Sequence, residues 1–298
     1  MPDTVAVLGA GGFIGRATRA ALARAGCEAP GFDLAPGEDL TGRVDVTDLQ
    51  SVLSALLEVR PRAVINLAYI LGGDIEADPY RATRVNVLGM QHVFEACRLL
   101  GIERCVYASS IAVYGAQEPF GDRAVREEDH GLPTNLYGWQ KQMNEAVATV
   151  YRERYGLDAI GLRISTVYGG DRRTGLSAPI NELVMAAARG APVHCPFRAD
   201  CDSDLVHVED VAETLAAVAT EPRLRHPVYN TGGEFATIAD LVDLARELRP
   251  DVRVTLGDRR MVHVSRVDWS RLHGELRLER PTLRDRVRAA FEGAAAAR

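Results

Sequence analysis

Two rhythms of apolar residues divide the chain. Short unbroken apolar runs at 4–9, 29–34, 42–46, 62–68, 104–110 and 158–165 alternate with longer segments at 16–25, 48–59, 79–100 and 135–155, whose apolar positions return every three or four residues. An unbroken run is a strand covered on both faces, and the longer spacing is that of an amphipathic helix. Their alternation predicts parallel strands joined by crossover helices, an α/β fold with a doubly wound parallel sheet. The helix at 79–100 carries Val85, Leu88, Val93, Phe94, Cys97 and Leu100 on more than one stripe. It is expected to be covered on two sides, by its own sheet and by a second subunit. Beyond 169 the rhythm loosens. Loops are expected at 169–175 and 190–202, helices at 179–189, 209–220, 238–248 and 283–297, and strands at 205–208, 228–231 and, as an edge, 252–256. The expected organisation is a large domain over 1–169, rejoined by segments at about 204–235, and a smaller, partly interwoven lobe over 170–298.

The first strand runs into Gly9-Ala-Gly-Gly12-Phe13-Ile14-Gly15 and then a helix. Glycines in a strand–turn–helix let the backbone approach a pyrophosphate, which rests on the amides of the helix N-terminus, Phe13 and Ile14 included. Asp33 closes the second strand 18 residues after Gly15. At that distance a carboxylate accepts both hydroxyls of the adenine ribose and repels a 2′-phosphate, so NAD is favoured over NADP on a Rossmann-type sheet. Asp48 stands where it would cap the next helix.

Composition narrows the partners. The chain has 298 residues, 47% of them hydrophobic and 26% charged, ordinary for a soluble globular enzyme. A net charge of −6 and scattered arginines argue against nucleic acid or an anionic membrane as partner. The five cysteines, Cys27, Cys97, Cys105, Cys195 and Cys201, form no CxxC and no zinc-like spacing with histidine, so no metal is expected. They read as buried thiols in a reducing cytosol, with a Cys195–Cys201 disulfide as the lesser reading. The N-terminus lacks a signal-like pattern, and the longest apolar runs are too short to span a bilayer, so a cytoplasmic protein is expected.

One detail of composition carries chemistry. Lysine and arginine together number 35, yet only one of them, Lys141, is lysine, and it stands four residues after Tyr137. On a helix the two share a face. An ammonium about 5 Å from a phenol is worth roughly 3 kcal/mol at an effective dielectric of ~20. That would lower a tyrosine pKa by about two units, making an acid–base group for neutral pH.

With these residues assembled, the chain resembles an extended short-chain dehydrogenase/reductase of the NAD-dependent epimerase/dehydratase family, over about residues 4–235. The motifs that carry it are Gly9-x-x-Gly12-x-x-Gly15, Asp33, Asp45-Val46, Asn66-Leu-Ala68, Asn86-Val-Leu-Gly89, Ser109-Ser110 with Val113-Tyr-Gly115, Tyr137-x-x-x-Lys141, Leu162-Arg163, Val167-Tyr-Gly169 and Val206-His-Val-Glu-Asp210. The resemblance implies that Asp45 and Val46 contact the adenine, that Leu67 and Ala68 line the cofactor's path, and that Lys141 also holds the nicotinamide ribose. It implies Tyr137 as the proton-exchanging group and Ser110 as the hydroxyl that bonds the reacting oxygen. Asn86 is expected to be structural. A homodimer built on the helices at 79–100 and 135–155 is also implied.

Departures from the family pattern limit the substrate. The Asp–Glu pair that follows the serine position in 4,6-dehydratases is replaced by Ile111 and Ala112, which exclude that dehydration. The asparagine and arginine that serve the diphosphate in nucleotide-sugar members are replaced by Thr166 and Ser203. Arg172, Arg173 and Arg198, in loops, are candidate contacts for a phosphate or for the carboxylate of a small acid. Ser109, Tyr69 and Thr166 complete the candidate substrate contacts, with Tyr69 narrowing the pocket. The leading expectation is an NAD-dependent oxidoreductase acting on a secondary alcohol or ketone of a small polar molecule, such as a sugar, sugar acid or pathway intermediate. The alternatives are a nucleotide-sugar epimerase with transient oxidation at one carbon, and a non-catalytic dinucleotide-binding protein.

Overall fold

The computed structural model describes residues 3–172, 175, 177–222 and 224–296. In the first part β1 (Val5–Leu8), β2 (Gly31–Asp33), β3 (Gly42–Arg43), β4 (Ala63–Asn66), β5 (Arg104–Ser110) and β6 (Asp158–Ile164) alternate with helices. These are α1 (Phe13–Arg24), α2 (Leu49–Val59), the short α3 (Gly73–Ala77) and α4 (Pro79–Thr83), α5 (Gly89–Leu100) and α6 (Leu136–Tyr155). The second part adds β7 (Thr166–Tyr168), α7 (Ala178–Arg189), β8 (Val193–Phe197), β9 (Asp202–His207), α8 (Val208–Thr220) and β10 (Val228–Asn230). It ends with β11 (Glu234–Thr237), α9 (Ile238–Leu248), β12 (Val254–Arg259), α10 (Ser270–Leu276) and α11 (Leu283–Ala296).

Seven strands form one sheet in the order β10-β6-β5-β4-β1-β2-β3, every pairing parallel. Both faces are covered, which is why its central strands read as unbroken apolar runs. Leu22 of α1 and Val211 and Leu215 of α8 pack on Val5, Val7 and Ile65 from one side. Val52 of α2, Phe94 of α5 and Ala148 of α6 pack on Ala6, Leu8 and Val64 from the other. The chain order reverses between β1 and β4, so a crevice opens at their carboxyl ends. This is the expected Rossmann-type sheet. The C-terminal lobe adds a sheet β11-β9-β7 and a pair β12-β8, with Leu183 of α7, Leu241 of α9 and Val287 of α11 in its core. β10 leaves that lobe to pair with β6.

Two features differ from expectation, the stretch 190–202 and the segment 79–100. The stretch 190–202 is not all loop: β8 pairs in parallel with β12 and alternates buried Val193, Cys195 and Phe197 with exposed His194 and half-buried Pro196. A proline is tolerated there because β8 is an edge. Cys195 and Cys201 remain free thiols, as do the other three cysteines. The segment 79–100 is not one regular helix. Between α4 and α5 lies a π-helical turn, Arg84–Leu88. Asn144 Nδ2 donates to the Asn86 carbonyl at 2.9 Å, engaging it within that widened turn. The Asn86 side chain accepts from the Ile70 amide at 2.8 Å and donates to Gln140 Oε1 at 2.8 Å, clasping the loop after β4 to α6. Among the described residues no helix is long and apolar enough to cross a membrane, and no His, Cys, Asp or Glu groups gather as metal ligands.

Candidate active site

The crevice holds a cavity of about 530 Å³ whose walls include Gly9, Gly12, Asp33, Asp45, Val46, Leu67, Ala68 and Tyr69. Two glycines shape its floor. Gly9 has φ +75°, and a Cβ there would stand 2.6 Å from the Ala68 amide nitrogen. A Cβ at Gly15 would stand 2.2 Å from the Gly9 carbonyl oxygen. The turn therefore lies flat against the end of β4 and brings the start of α1 into the crevice. The helix N-terminus there has no side-chain cap, which leaves its first amides available to a phosphate. Asp33 is pinned at the rim, its Oδ2 accepting from the Gly11 amide at 3.0 Å. Asp45 accepts from the Thr47 amide at 2.9 Å and the Thr47 hydroxyl at 2.7 Å. Burial works to raise its carboxyl, but those bonds and the charges of Arg43 and Arg84 outweigh it and hold it below the usual range. A glycine cradle, uncapped amides and a rim carboxylate together fit a dinucleotide. Arg81 and Arg84 also line the cavity, which the sequence pattern had left as ordinary helix residues.

At the inner end Tyr69 joins this cavity to a second group of side chains. Its ring meets that of Tyr137 edge-on, centroids 5.6 Å apart. Lys141 Nζ lies 3.3 Å from the centre of the Tyr69 ring and 5.5 Å from that of Tyr137, and donates to the Ala108 carbonyl at 2.6 Å. The Ser110 hydroxyl lies near enough to Tyr137 to act on its phenol. Local sequence explains the meeting. Ser110 ends β5, and its Oγ accepts from the Ala112 amide at 3.2 Å to start a short 3-10 turn. Asn135 caps α6 through the Gly138 amide at 2.9 Å. A Cβ at Gly138 would stand 2.6 Å from the Ala112 carbonyl, so only glycine lets the first turn of α6 rest on that segment.

The electrostatics differ from the expectation that lysine lowers the phenol. Burial is the leading effect on Tyr137 and raises its pKa, with the Ser110 hydroxyl and the charge of Arg172 pulling the other way. Burial acts on Lys141 as well. Its ammonium is pulled down to about 7, against the opposing charge of Glu145 one turn further on.

The other candidates separate. Ser109 and Ser110 point to opposite faces of β5, as neighbours in a strand must. Ser109 is buried and donates to Glu145 Oε1 at 2.5 Å, away from Tyr137. Glu145 also receives Arg163 Nε at 3.0 Å and Nη2 at 2.8 Å, and Arg163 Nη1 donates to Tyr114 Oη at 2.7 Å. This buried network ties α6 to β6. Glu145 was missed at the sequence level, though its place four residues after Lys141 was a signal. Thr166 accepts from Ser203 Oγ at 2.6 Å, and Ser203 meets His263 Nε2 at 3.0 Å. His263, far along the chain, could not be placed from sequence. Burial keeps its imidazole below the ordinary pKa. Arg198 is not brought to the site: it is half-buried and forks onto Asp200 at 2.8 and 2.6 Å. Arg172 is brought there, stacked over Phe13 with its charge acting on Tyr137. Arg173 lies outside the described residues.

A sequence model of the NAD dependent epimerase/dehydratase family matches residues 5–232. D-erythronate dehydrogenase of Cupriavidus necator is 29% identical over 220 residues, covering 71% of this chain and 67% of that protein. UDP-glucose 4-epimerase of Azospirillum brasilense is 29% identical over 283 residues, 86% of this chain and 80% of that protein. Among solved structures, the UDP-glucose 4-epimerase of Thermus thermophilus in complex with NAD superposes with a TM-score of 0.84 at 28% identity, covering 99% of this chain and all of the other. The match spans about half the length of two further curated relatives, 53% and 52%.

Proposed function

The chain belongs to the NAD dependent epimerase/dehydratase family, and from that premise we propose that it oxidises or reduces one secondary alcohol or ketone of a small polar substrate. The observation that carries this reading is the convergence of Tyr137, Ser110 and Lys141 at the inner end of the dinucleotide crevice. When bound, NAD supplies the acceptor or donor of hydride. The chain supplies the rest. Ser110 bonds the reacting oxygen and orients it toward the phenol. Tyr137 takes the hydroxyl proton in oxidation and returns it in reduction. Lys141, its ammonium pulled down by burial to about 7, lies beside the phenol and would hold the nicotinamide ribose. Asp33 and the glycine turn would hold the adenosine and pyrophosphate end, and Asp45, Val46, Leu67 and Ala68 would line its path.

The relatives named UDP-glucose 4-epimerase support a second reading, an epimerase that oxidises and re-reduces one carbon without net NADH. Against it stands the Thr166–Ser203–His263 cluster, which carries hydroxyls and a neutral imidazole where a diphosphate would need a cation. The deciding experiment is incubation of purified protein with NAD and a panel of polyols, sugar acids and nucleotide sugars, following NADH absorbance and product identity. Net NADH supports the first reading and an isomer without it the second. Tight NAD binding with no turnover across the panel would sink both and leave a binding protein.

The cofactor site has its own check. Asp33→Ala removes an acceptor for two ribose hydroxyls, and charge-assisted bonds of this kind are worth about 1.5–3 kcal/mol. NAD affinity is expected to fall roughly 10- to 100-fold while discrimination against NADP shrinks, as read by fluorescence titration; equal affinities would remove Asp33 from the site. The faces of α5 and α6 expose Leu99, Trp139, Met143 and Val150, each more than 40% accessible. They support a second copy of the chain as partner. Sedimentation is expected to give a dimer that Trp139→Asp together with Met143→Asp converts to monomer.

A further inference from the structure

The loop after β7 contains a cation that no described carboxylate neutralises. Arg172 Nε is enclosed without a hydrogen-bond partner. Its guanidinium lies 5.5 Å from the centre of the Phe13 ring, at the start of α1. The acid next to it in sequence, Asp171, is engaged elsewhere: both its oxygens receive Arg16 Nη2 at 2.9 Å. The loop is held around this arrangement. Buried Asn181 accepts from the Gly169 amide at 2.8 Å and donates to the carbonyls of Gly170 at 3.3 Å and Arg172 at 3.2 Å. A Cβ at Gly175 would stand 2.8 Å from Arg172 Nη2, so the backbone there lies close to the guanidinium. The charge also acts on the Tyr137 phenol. A half-buried arginine whose enclosed Nε has no partner is costly, and the fork geometry matches a carboxylate brought in from outside.

We propose that Arg172 anchors a carboxylate of the substrate beside the reacting hydroxyl, so that the substrate is a small hydroxy acid. This rests on the reading of Tyr137 as the group that exchanges the hydroxyl proton. In the oxidative direction the carbinol C–H bond breaks as hydride passes to NAD. The O–H proton leaves through Tyr137, and the products are the oxo acid, NADH and a proton. The rest of the pocket suits the same molecule. Ser203 Oγ donates to Thr166 and contacts the neutral His263 ring, so this cluster offers hydrogen bonds to further hydroxyls and no second anion site. Thr166 follows two residues after Ile164, which pairs with Ser110 across β5 and β6. The cluster therefore lies at the same end of the sheet as the reacting hydroxyls.

The test is calorimetric titration of the NAD-loaded protein with glycerate, erythronate and gluconate. Glycerol and erythritol are the neutral counterparts, and glycerol 3-phosphate is the phosphate arm. NADH is followed in parallel. At least one acid is expected to bind 10-fold or more tightly than its neutral counterpart. Arg172→Gln is expected to weaken that acid roughly 30- to 100-fold, leaving the neutral compounds, NAD affinity and circular dichroism unchanged. Arg172→Lys, which keeps charge without the fork, is expected to recover part of the loss. Failure of every acid to bind, or an equal loss for acids and polyols, overturns the proposal. So does a phosphate ester that binds more tightly than every acid through Arg172. Acid binding that depends on Arg172 without any NADH keeps the anchor and sinks the hydride-transfer reading.

Discussion

Tyr137→Phe is expected to lower kcat/KM by about 10³-fold or more while NAD affinity stays within a factor of about three. The substitution removes one oxygen and keeps the ring. Edge-on packing against Tyr69, at 5.6 Å between centroids, does not use the hydroxyl. Ser110 Oγ keeps the Ala112 amide. Nothing buried is therefore stranded, and the fold should be indifferent. The proposed chemistry is not indifferent, because the phenol is the group that takes the proton from the reacting oxygen. Steady-state rates on the best substrate of the panel, with NAD titration alongside, give the answer. A residual rate within tenfold of wild type would remove Tyr137 from proton transfer. Ser110→Ala should cost less, since it orients the oxygen without exchanging the proton.

What sequence conveys about this fold follows the range of the interactions involved. β5 and α9 appear at the residues their patterns predict, Arg104–Ser110 and Ile238–Leu248, because burial on one or two faces writes itself into local periodicity. The Asp48 cap is likewise local, and its side chain accepts from the Gln50 amide. The glycine turn is legible because its backbone leaves no room for any other residue. The lobe's short strands are less visible. β7 and β11 have three and four residues, too few to establish a period, and exist because β9 pairs with both. The π turn at Asn86 depends on Asn144, 58 residues away.

The same distinction divides the site. The Tyr137–Lys141 spacing showed that the two share a helix face, but their charges depend on what surrounds them. Burial raises the phenol and lowers the ammonium, a reversal of the expected coupling that spacing alone could not reveal. Ser109 and Ser110 look equivalent in sequence, and the pleat sends one to Glu145 and the other to Tyr137. The loop arginines look equivalent too. Arg198 finds Asp200 two residues on, whereas Arg172 has its neighbouring acid taken by Arg16. Which cation stays available to a ligand is a property of the fold.

Lys141→Met should abolish turnover and yet stabilise the cofactor-free protein at pH 6, with a gain that shrinks by pH 9. Lys141 is 2% exposed and its folded pKa is about 7, against about 10.4 for an unfolded lysine. Between those values the unfolded chain carries the proton and the folded chain does not, so stability rises with pH by up to about 1.4 kcal/mol per unit. Below about pH 7 both states are protonated and the full cost of burying the ammonium is felt, an upper limit of roughly 4–5 kcal/mol. Methionine removes that cost but also loses the bond to the Ala108 carbonyl and the contact with the Tyr69 face. A net gain of about 1–3 kcal/mol at pH 6 remains, measurable by urea unfolding at the two pH values. A loss at pH 6, or equal gains at both, would mean that the ammonium is not strained. Arginine at this position would pay for burial without the ability to shed its proton, which gives a physical reason why the only lysine of an arginine-rich chain stands here. A site that binds NAD and moves protons near neutrality gains a charge it can adjust, at the expense of the stability that methionine would restore.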